Sequence, residues 1–438
     1  MPTRTLDLRP HPARDSLMAE AHSRPSPKLP LPAIVSRLVM HSGEDGGADD
    51  FEHLLQLCRT LGTAEPGKLA RRHQIDAGGL TVVWERHTEF STYTFSRAQS
   101  ADQPLSWRAA LEAAPERWLA DLPGSLLAAV HVAIRPYVAV EEQESQIREA
   151  FGQDEVIQSD LLGGRASFAA NFRMDGEGFV RMLLFDHDQG DGLRGRMAQN
   201  LVEIETYRLT ALLGFALARS TSNELHHLEA AIATLTEELA TSADVAKDRD
   251  LLQRLSTIAG QAEALRTRTA YRYAATQAYW RIVRERIDIL REIPRTGRQG
   301  ITSFMERRLA PAFRTCEAAD RRQQALTDQI ARATRLLATR VDVKVSEQNA
   351  QLLHSMDRRA RLQLRLQETV EGLSVVAITY YAVGLVGYLV PGLGSLGLVL
   401  DPMIATAAAV PLVALAVGIG VRQIRRRLSR EEDERLGG

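Results

Sequence analysis

A chain of 438 residues is too long for one ordinary compact domain, so its length predicts two or three structural units. Apolar residues make up 45% and aromatic residues only 5%, a balance that favours helices rich in Ala and Leu over an all-β sandwich. The formal net charge is −1 with acids and bases interspersed, which argues against a nucleic-acid partner because such partners are attracted by excess positive charge.

The N-terminal region and the cysteines indicate a cytoplasmic body. Residues 1–32 contain charged residues and prolines, with no apolar run long enough for a cleavable signal. Cys58 and Cys316 are far apart, and each lies in a stretch typical of an amphipathic helix, so we expect two buried thiols and no disulfide. Neither belongs to a CxxC or Cys/His cluster, so nothing indicates a structural zinc site.

Residues 1–220 show a mixed pattern that predicts an α+β domain. Strand-like segments are found at residues 33–41, 79–95, 126–134, 165–172 and 178–186. Helical segments are predicted at residues 12–22, 50–61 and about 193–219.

One segment of this domain, WERHTEFSTYTF at residues 84–95, suggests metal chemistry. If it forms a single strand, Glu85, His87 and Glu89 point to the same side, where two carboxylates and an imidazole could bind a metal ion. An ion-paired or solvated sheet face explains the same residues, since no evident second shell of hydrogen-bond partners accompanies them. Both interpretations stay open, with the ion-paired face the simpler one.

Residues 221–372 predict a long helical stalk. A coiled-coil seam, with spacings that alternate between four and three, is formed by Leu251, Leu255, Ile258, Ala262 and Leu265. Helical character extends over about residues 222–293, and the segment 294–300 (PRTGRQG) then reverses the chain into an antiparallel helical hairpin. In residues 303–372, Pro311 is the only proline and Gly372 the only glycine, so we expect a helix of roughly 100 Å.

Two uncharged segments near the C-terminus predict a transmembrane hairpin. Residues 373–390 and 402–421 contain no charge for about 18 to 20 residues each, enough to cross the hydrocarbon layer as helices. The connector, residues 391–401 (PGLGSLGLVLD), begins with prolines and glycines that permit a tight return. Two buried helices of a large soluble domain would give a similar pattern, but the paired lengths and flanking arginines favour the membrane.

The arginines on either side of this hairpin predict its orientation. They are Arg358, Arg359, Arg361 and Arg365 before the first span, and Arg422, Arg425, Arg426, Arg427 and Arg430 after the second. The connector carries only Asp401, so the positive-inside rule places both termini in the cytoplasm, with residues 422–438 as a charged tail.

Polar residues follow one face of the first span. Gln367, Ser374, Tyr381 and Tyr388 recur every seven residues, and Glu371 lies on the same side of the helix. Such groups need a partner in the membrane, either a neighbouring helix in a closed bundle or water in a pore between symmetry-related helices. Helix packing is the simpler interpretation, and the pore stays open as an alternative.

Three segments resemble one bacterial family. They are HP at residues 11–12 with HSRP at 22–25, WERHTEFSTYTF at 84–95, and MDRRARLQLRLQETVEGLS at 356–374. They look like the family catalogued as domain of unknown function 3422, described as predicted membrane-anchored proteins. The resemblance extends from Pro10 through the hairpin, and it implies membrane anchoring without naming an activity.

The order of the parts is also similar to that of the CorA-type magnesium channels. In that group an α+β domain leads through a long helix to a first span, a short connector, a second span and a basic tail. Their Gly-Met-Asn signature closes the first span, whereas residues 380–392 (YYAVGLVGYLVPG) contain no Met-Asn, and only Asp401 could represent their acidic connector residue. The architecture is similar and the selectivity filter is not.

Motifs typical of catalysis are missing from the sequence. It contains no phosphate-binding loop, no GxSxG elbow and no HExxH motif, so we expect neither an enzyme nor a cofactor. Our leading hypothesis is an oligomeric scaffold or tether of the bacterial inner membrane, a multi-pass protein with the lipid bilayer and further copies of itself as partners. The alternative is a CorA-like cation channel or transporter with the polar face of the first span at its axis.

Overall fold

The computed structural model describes residues 11, 13, 14, 18, 27–43, 48–68, 70–100, 104–241, 245–394 and 401–436. It divides into two compact units, Met1–Thr334 and Arg335–Gly438. Most of the described residues are helical, and a sheet-containing N-terminal domain precedes the long helices, which confirms this much of the predicted fold class. The predicted helix at residues 12–22 lies largely outside the described residues.

Within the described residues, nine strands of the first unit form one mixed sheet in the order β2-β3-β4-β1-β5-β8-β7-β6-β9. The strands are β1 (Ala33–His41), β2 (Arg72–Ala77), β3 (Leu80–Arg86), β4 (Phe90–Ala98), β5 (Ser125–Pro136), β6 (Ile157–Leu161), β7 (Ala166–Met174), β8 (Val180–Asp186) and β9 (Ile293–Pro294). Strands β5 and β8 pair in parallel and the other neighbours pair antiparallel.

Helices cover both faces of this sheet, because successive side chains of a strand point to opposite sides. On one face, Ile34 and Leu38 pack in a core that includes three helices, α1 (Ala48–Leu61), α2 (Glu116–Ala120) and α3 (Val140–Phe151). On the other face, Val35 and Val39 pack in a core formed with α4 (Asp191–Thr241), α5 (Val245–Leu290), α6 (Ile301–Arg308) and the start of α7 (Ala310–Gly394).

The long helices α4 and α5 run antiparallel to each other. Three ion pairs connect them, Glu238–Arg254, Glu224–Arg268 and Glu203–Arg286. From one pair to the next the residue number decreases on α4 and increases on α5, as antiparallel helices require. The start of α7 joins this pair, since Phe313 stacks on Trp280 of α5 at 4.3 Å and Gln323 accepts a hydrogen bond from Thr269 at 2.9 Å. The sequence predicted continuous helical character over residues 222–293, whereas the structure has two helices there, α4 ending at Thr241 and α5 beginning at Val245. The chain therefore reverses between these helices as well as at residues 294–300.

Arg194 connects three parts of the first unit at the beginning of α4. Its side chain is 3% exposed, and its Nε donates to Asp186 at the end of β8 at 2.7 Å. Its Nη1 donates to the carbonyl oxygen of Leu29 at 2.6 Å and to Asp191 at 2.8 Å. Close packing accompanies these bonds, because a Cβ atom on Gly195 would lie 1.6 Å from the carbonyl oxygen of Pro27.

His131 of β5 is an uncharged imidazole in the core. It is fully buried, stacks on Phe179 with 4.1 Å between ring centroids, and its Nδ1 lies 2.7 Å from the hydroxyl of Ser36. Burial lowers the pKa of His131 to about 4, against a smaller opposing effect from Asp175. The sheet therefore contains a histidine that resists protonation.

The second unit consists, within the described residues, of the C-terminal part of α7 and of α8 (Pro402–Leu436). The two helices lie side by side and line a common groove of about 800 Å³, and a Cβ atom on Gly387 would lie 3.9 Å from Oγ1 of Thr406. Helix α7 continues past Pro391 and ends at Gly394, since a proline near the last turn removes only one backbone hydrogen bond. The rest of the predicted connector, residues 395–400, lies outside the described residues.

Candidate functional site

Helices α7 and α8 present exposed apolar surfaces in the second unit. Both helices contain an 18-residue window that is long and apolar enough to cross a membrane, and neither window is buried. Their large side chains are 63–83% exposed at Leu373, Val376, Leu385, Leu389, Met403, Ile404, Leu412 and Leu415. A contiguous apolar surface of this kind requires a cover that the described chain does not supply.

Four of the five residues of the polar face predicted on α7 are exposed. Tyr381 and Tyr388 are 72% and 86% exposed and line the groove shared with α8, together with Thr406. Ser374 donates its hydroxyl hydrogen to the carbonyl oxygen of Val370 at 2.8 Å, so this group is satisfied within its own helix. Gln367 is exposed and Glu371 is half-buried.

The WERHTEF segment forms a hairpin and not one strand. Strand β3 ends at Arg86 and β4 begins at Phe90, and the backbone N–H of His87 donates to the carbonyl oxygen of Phe90 at 2.9 Å. His87 and Glu89 therefore belong to the turn, while Glu85 belongs to β3. Because the three residues do not share one strand, their side chains are not required to point to the same side of the sheet.

Arginines contact both carboxylates of this segment. Glu85 lies 3.7 Å from Nη2 of Arg37 and 3.4 Å from Nε of Arg72. Glu89 is fully buried and accepts two hydrogen bonds from Arg272 of α5, and its carboxylate lies 3.8 Å from Nε2 of His41.

The imidazole of the same segment packs against aromatic rings. His87 stacks on Phe90 at 4.4 Å and meets the edge of Tyr207. The structure thus gives Glu85, His87 and Glu89 different surroundings. Across the described ranges, no group of three or more His, Cys, Asp and Glu side chains could hold a metal ion.

Ser167 lies near His187 and Asp160 and binds Arg295, a residue of the segment that connects α5 and α6. The hydroxyl of Ser167 donates to Asp160 at 3.1 Å, lies 3.2 Å from Nε2 of His187, and accepts a hydrogen bond from Arg295 at 2.6 Å. Burial lowers the pKa of His187. Ser167 is only 2% exposed, so its hydroxyl is not open to a substrate, and the contacts hold Arg295 against the edge of the sheet.

The fold and the exposed helices together define a predominantly helical protein that carries an N-terminal sheet domain and two helices long and apolar enough to span a membrane. The chain belongs to the family described as "Protein of unknown function (DUF3422)", whose model matches residues 9–428. The resemblance inferred from the three sequence segments is therefore confirmed over nearly the whole chain. A search of curated proteins found no match.

Proposed function

We propose that this protein is a tether of the bacterial inner membrane, anchored by a hairpin of the C-terminal part of α7 and α8. The observation that carries the proposal is the exposure of two apolar helices in one unit. A lipid bilayer would cover their side chains, and helices satisfy their own backbone hydrogen bonds, as the hydrocarbon layer demands. The first unit, with its nine described strands and two cores, is then held at the membrane surface.

The orientation follows from the distribution of charge. Arginines precede the first span and follow the second, whereas the connector carries only Asp401. By the positive-inside rule, both termini and the first unit lie in the cytoplasm.

Cysteine labelling in intact cells tests anchoring and orientation together. Cys58 and Cys316 are buried, so the wild-type chain is expected to react little with a membrane-impermeant maleimide. Ser395→Cys, in the connector, should react in whole cells, because the proposal places this residue in the periplasm. Ser429→Cys, in the tail, should react only after the membrane is broken.

Two outcomes would contradict this arrangement. Recovery of the chain in the soluble fraction after lysis would show that it is not anchored in the membrane. Labelling of Ser429→Cys in whole cells would show that the tail lies outside the cytoplasm. An equal reaction of both variants after membrane disruption is the control for intrinsic reactivity.

Self-association of the tether is supported by a continuous exposed face on α7. Positions that alternate between spacings of three and four are Leu353, Met356, Ala360, Gln363, Gln367, Val370 and Ser374, all exposed. This is the spacing of a coiled-coil seam, and it runs without interruption into the polar face of the first span. A second copy of α7 would bury Leu353 and Met356, which are 66% and 64% exposed.

Disulfide cross-linking in native membranes tests this seam. Gln367→Cys should give a covalent dimer under a mild oxidant, because seam positions of two associated helices face each other. Arg365→Cys is the matched control, since it lies two residues away on the opposite side of the helix. Equal cross-linking of both variants, or of neither, would contradict association through this face.

A further inference from the structure

A pocket in the first unit lies between the start of α4, the end of α5 and the turn that joins β6 to β7. We call it the α4–α5 pocket, and its lining includes Arg196 and Glu203 of α4, Arg286 and Ile289 of α5, and Leu162 of the turn. Its volume is about 310 Å³, within the range of roughly 300–1,000 Å³ that is typical of ligand sites. Five of its ten described lining residues are apolar and five are polar or charged, so it suits a small molecule with a polar and an apolar part.

Two of the three charged residues of the α4–α5 pocket are paired with each other. Glu203 accepts a hydrogen bond from Nε of Arg286 at one carboxylate oxygen, and the carboxamide of Gln199 donates to the other oxygen at 2.9 Å. The side chain of Glu203 is 11% exposed. Both oxygens of this carboxylate are therefore occupied, and its charge is balanced.

Arg196 supplies the remaining charge of the pocket. It is exposed, and within the part of the chain that the structure describes its guanidinium has no ion pair and no side-chain hydrogen bond. The carboxamide of Asn200 lies one helical turn further along α4, is half-buried, and has no hydrogen-bond partner among the same residues. One face of α4 thus presents a guanidinium in excess and a free hydrogen-bonding group to the pocket.

The backbone beside the α4–α5 pocket is strained at two positions. Four non-glycine residues have a positive φ in the described ranges, and two of them are here, Leu162 with φ 51° and Arg291 with φ 45°. Arg291 directly follows the lining residue Leu290, whose carbonyl oxygen accepts a hydrogen bond from the backbone N–H of Leu162 at 2.8 Å. Residues with a large side chain rarely adopt this conformation, and such strain concentrates at ligand sites.

The chemistry of the lining indicates what kind of molecule fits. A planar guanidinium matches a carboxylate, to which it can donate two parallel hydrogen bonds. A single excess positive charge balances a monoanion better than a dianion such as a phosphate monoester. Leu162, Leu193 and Ile289 provide apolar surface, and the side chain of Ile289 is 50% exposed, so a short hydrocarbon chain would be covered there.

We propose that the α4–α5 pocket binds a small monocarboxylate with a chain of a few carbon atoms, with Arg196 as the residue that binds the carboxylate. Asn200 adds a hydrogen bond to the same group, and the hydrocarbon chain lies on Leu162 and Ile289. The site goes beyond membrane anchoring, because it gives the first unit of the tether a ligand of its own.

Thermal unfolding of the full chain in detergent tests the site. All four tryptophans, at positions 84, 107, 118 and 280, lie in the first unit, so their fluorescence follows that unit. Hexanoate should raise the unfolding midpoint in a saturable manner, because a ligand that binds only the folded state stabilises it. Acetate, which lacks the chain, should need an at least about tenfold higher concentration for the same rise. Phosphate and chloride at the same ionic strength should give no saturable rise.

Three variants connect the effect to the pocket. Arg196→Gln should raise the hexanoate concentration for the half-maximal effect at least about tenfold, while its midpoint without ligand stays within about 2 °C of the wild type, since the side chain is exposed. Ile289→Asn should weaken the effect of hexanoate and leave that of acetate unchanged, because it alters only the apolar side. Arg281→Gln, an exposed arginine of α5 outside the lining, is the matched control and should behave like the wild type.

Three results would overturn the proposal. Absence of saturable stabilisation by hexanoate would show that there is no such site, and stronger stabilisation by phosphate would exclude a carboxylate as its ligand. An equal hexanoate response in wild type and Arg196→Gln would show that binding occurs elsewhere. If Arg196→Gln does not fold, the same comparison is made with Arg196→Lys, which keeps the charge but loses the planar pair of donors.

Discussion

Replacement of Arg194 by methionine is expected to destabilise the first unit by about 3–5 kcal/mol. The substitution leaves the carboxylate of Asp186, which is itself 0% exposed, without its cationic partner in a buried position. It also removes the donor to the carbonyl oxygen of Leu29, which is hydrogen-bonded to Arg194 across 165 positions of sequence. The loss should appear as a lower midpoint of tryptophan-detected unfolding, by roughly 4–7 °C for the unit Met1–Thr334, because its unfolding entropy is about 2.1 cal/mol/K per residue.

A matched control separates this effect from the loss of any ion pair. Arg254→Met breaks the Arg254–Glu238 pair, whose side chains are 40% and 44% exposed, and should cost less than about 1 kcal/mol. The double variant Asp186→Asn with Arg194→Met should regain part of the lost stability, because no buried charge is then left alone. If Arg194→Met unfolds within 2 °C of the wild type, the buried pair does not stabilise the domain.

Acidification is expected to destabilise the first unit through His131. Its folded-state pKa of about 4 lies below the ordinary value of 6.5, so between these values the unfolded chain binds a proton that the folded chain does not. Stability is therefore fully present above pH 6.5, falls as the pH drops toward 4, and loses nothing more from this group below that value. Between pH 6.5 and 4 the free energy of unfolding should decrease by about 3 kcal/mol, at about 1.4 kcal/mol per unit of pH.

The measurement is the unfolding midpoint between pH 7.5 and 4.5, for wild type and His131→Gln. The variant is less stable at pH 7.5, because it loses the stacking on Phe179, but its midpoint should fall less steeply with pH. His226→Gln, an exposed position on α4, is the control and should keep the wild-type slope. Parallel curves for wild type and His131→Gln would show that this histidine does not govern the acid response.

Strands with a strong apolar pattern were predictable from the sequence, and polar edge strands were not. Strand β1 agrees with the prediction at Ala33–His41, because eight of its nine residues are buried and most are apolar. Strand β2 (RHQIDA) was missed, since Ile75 is its one buried residue. Strand β6 (IQSDL) was missed because its five residues include only two apolar ones, too few to give a strand pattern. Four of the five are nevertheless buried.

The candidate site shows a different limit of sequence analysis. Residues 87–89 contain no glycine, proline or asparagine, so no local signal marked the turn that separates His87 and Glu89 from Glu85. The partner of Glu89, Arg272, lies 183 positions away, a distance over which local pattern carries no information. The two apolar helices were found because their signal is local: length and the lack of charge suffice.

Strand β9 has a consequence for how the protein is made. It covers β6 at the end of the sheet, and Arg295 beside it bonds Asp160 across 135 positions of sequence. A ribosome adding about 5–20 residues per second needs roughly 7–27 s to synthesise that stretch. Once β8 is complete at Asp186, the nascent chain carries an open sheet edge at β6, of the kind that pairs with other chains, and the two long helices α4 and α5 must be made before β9 can close it.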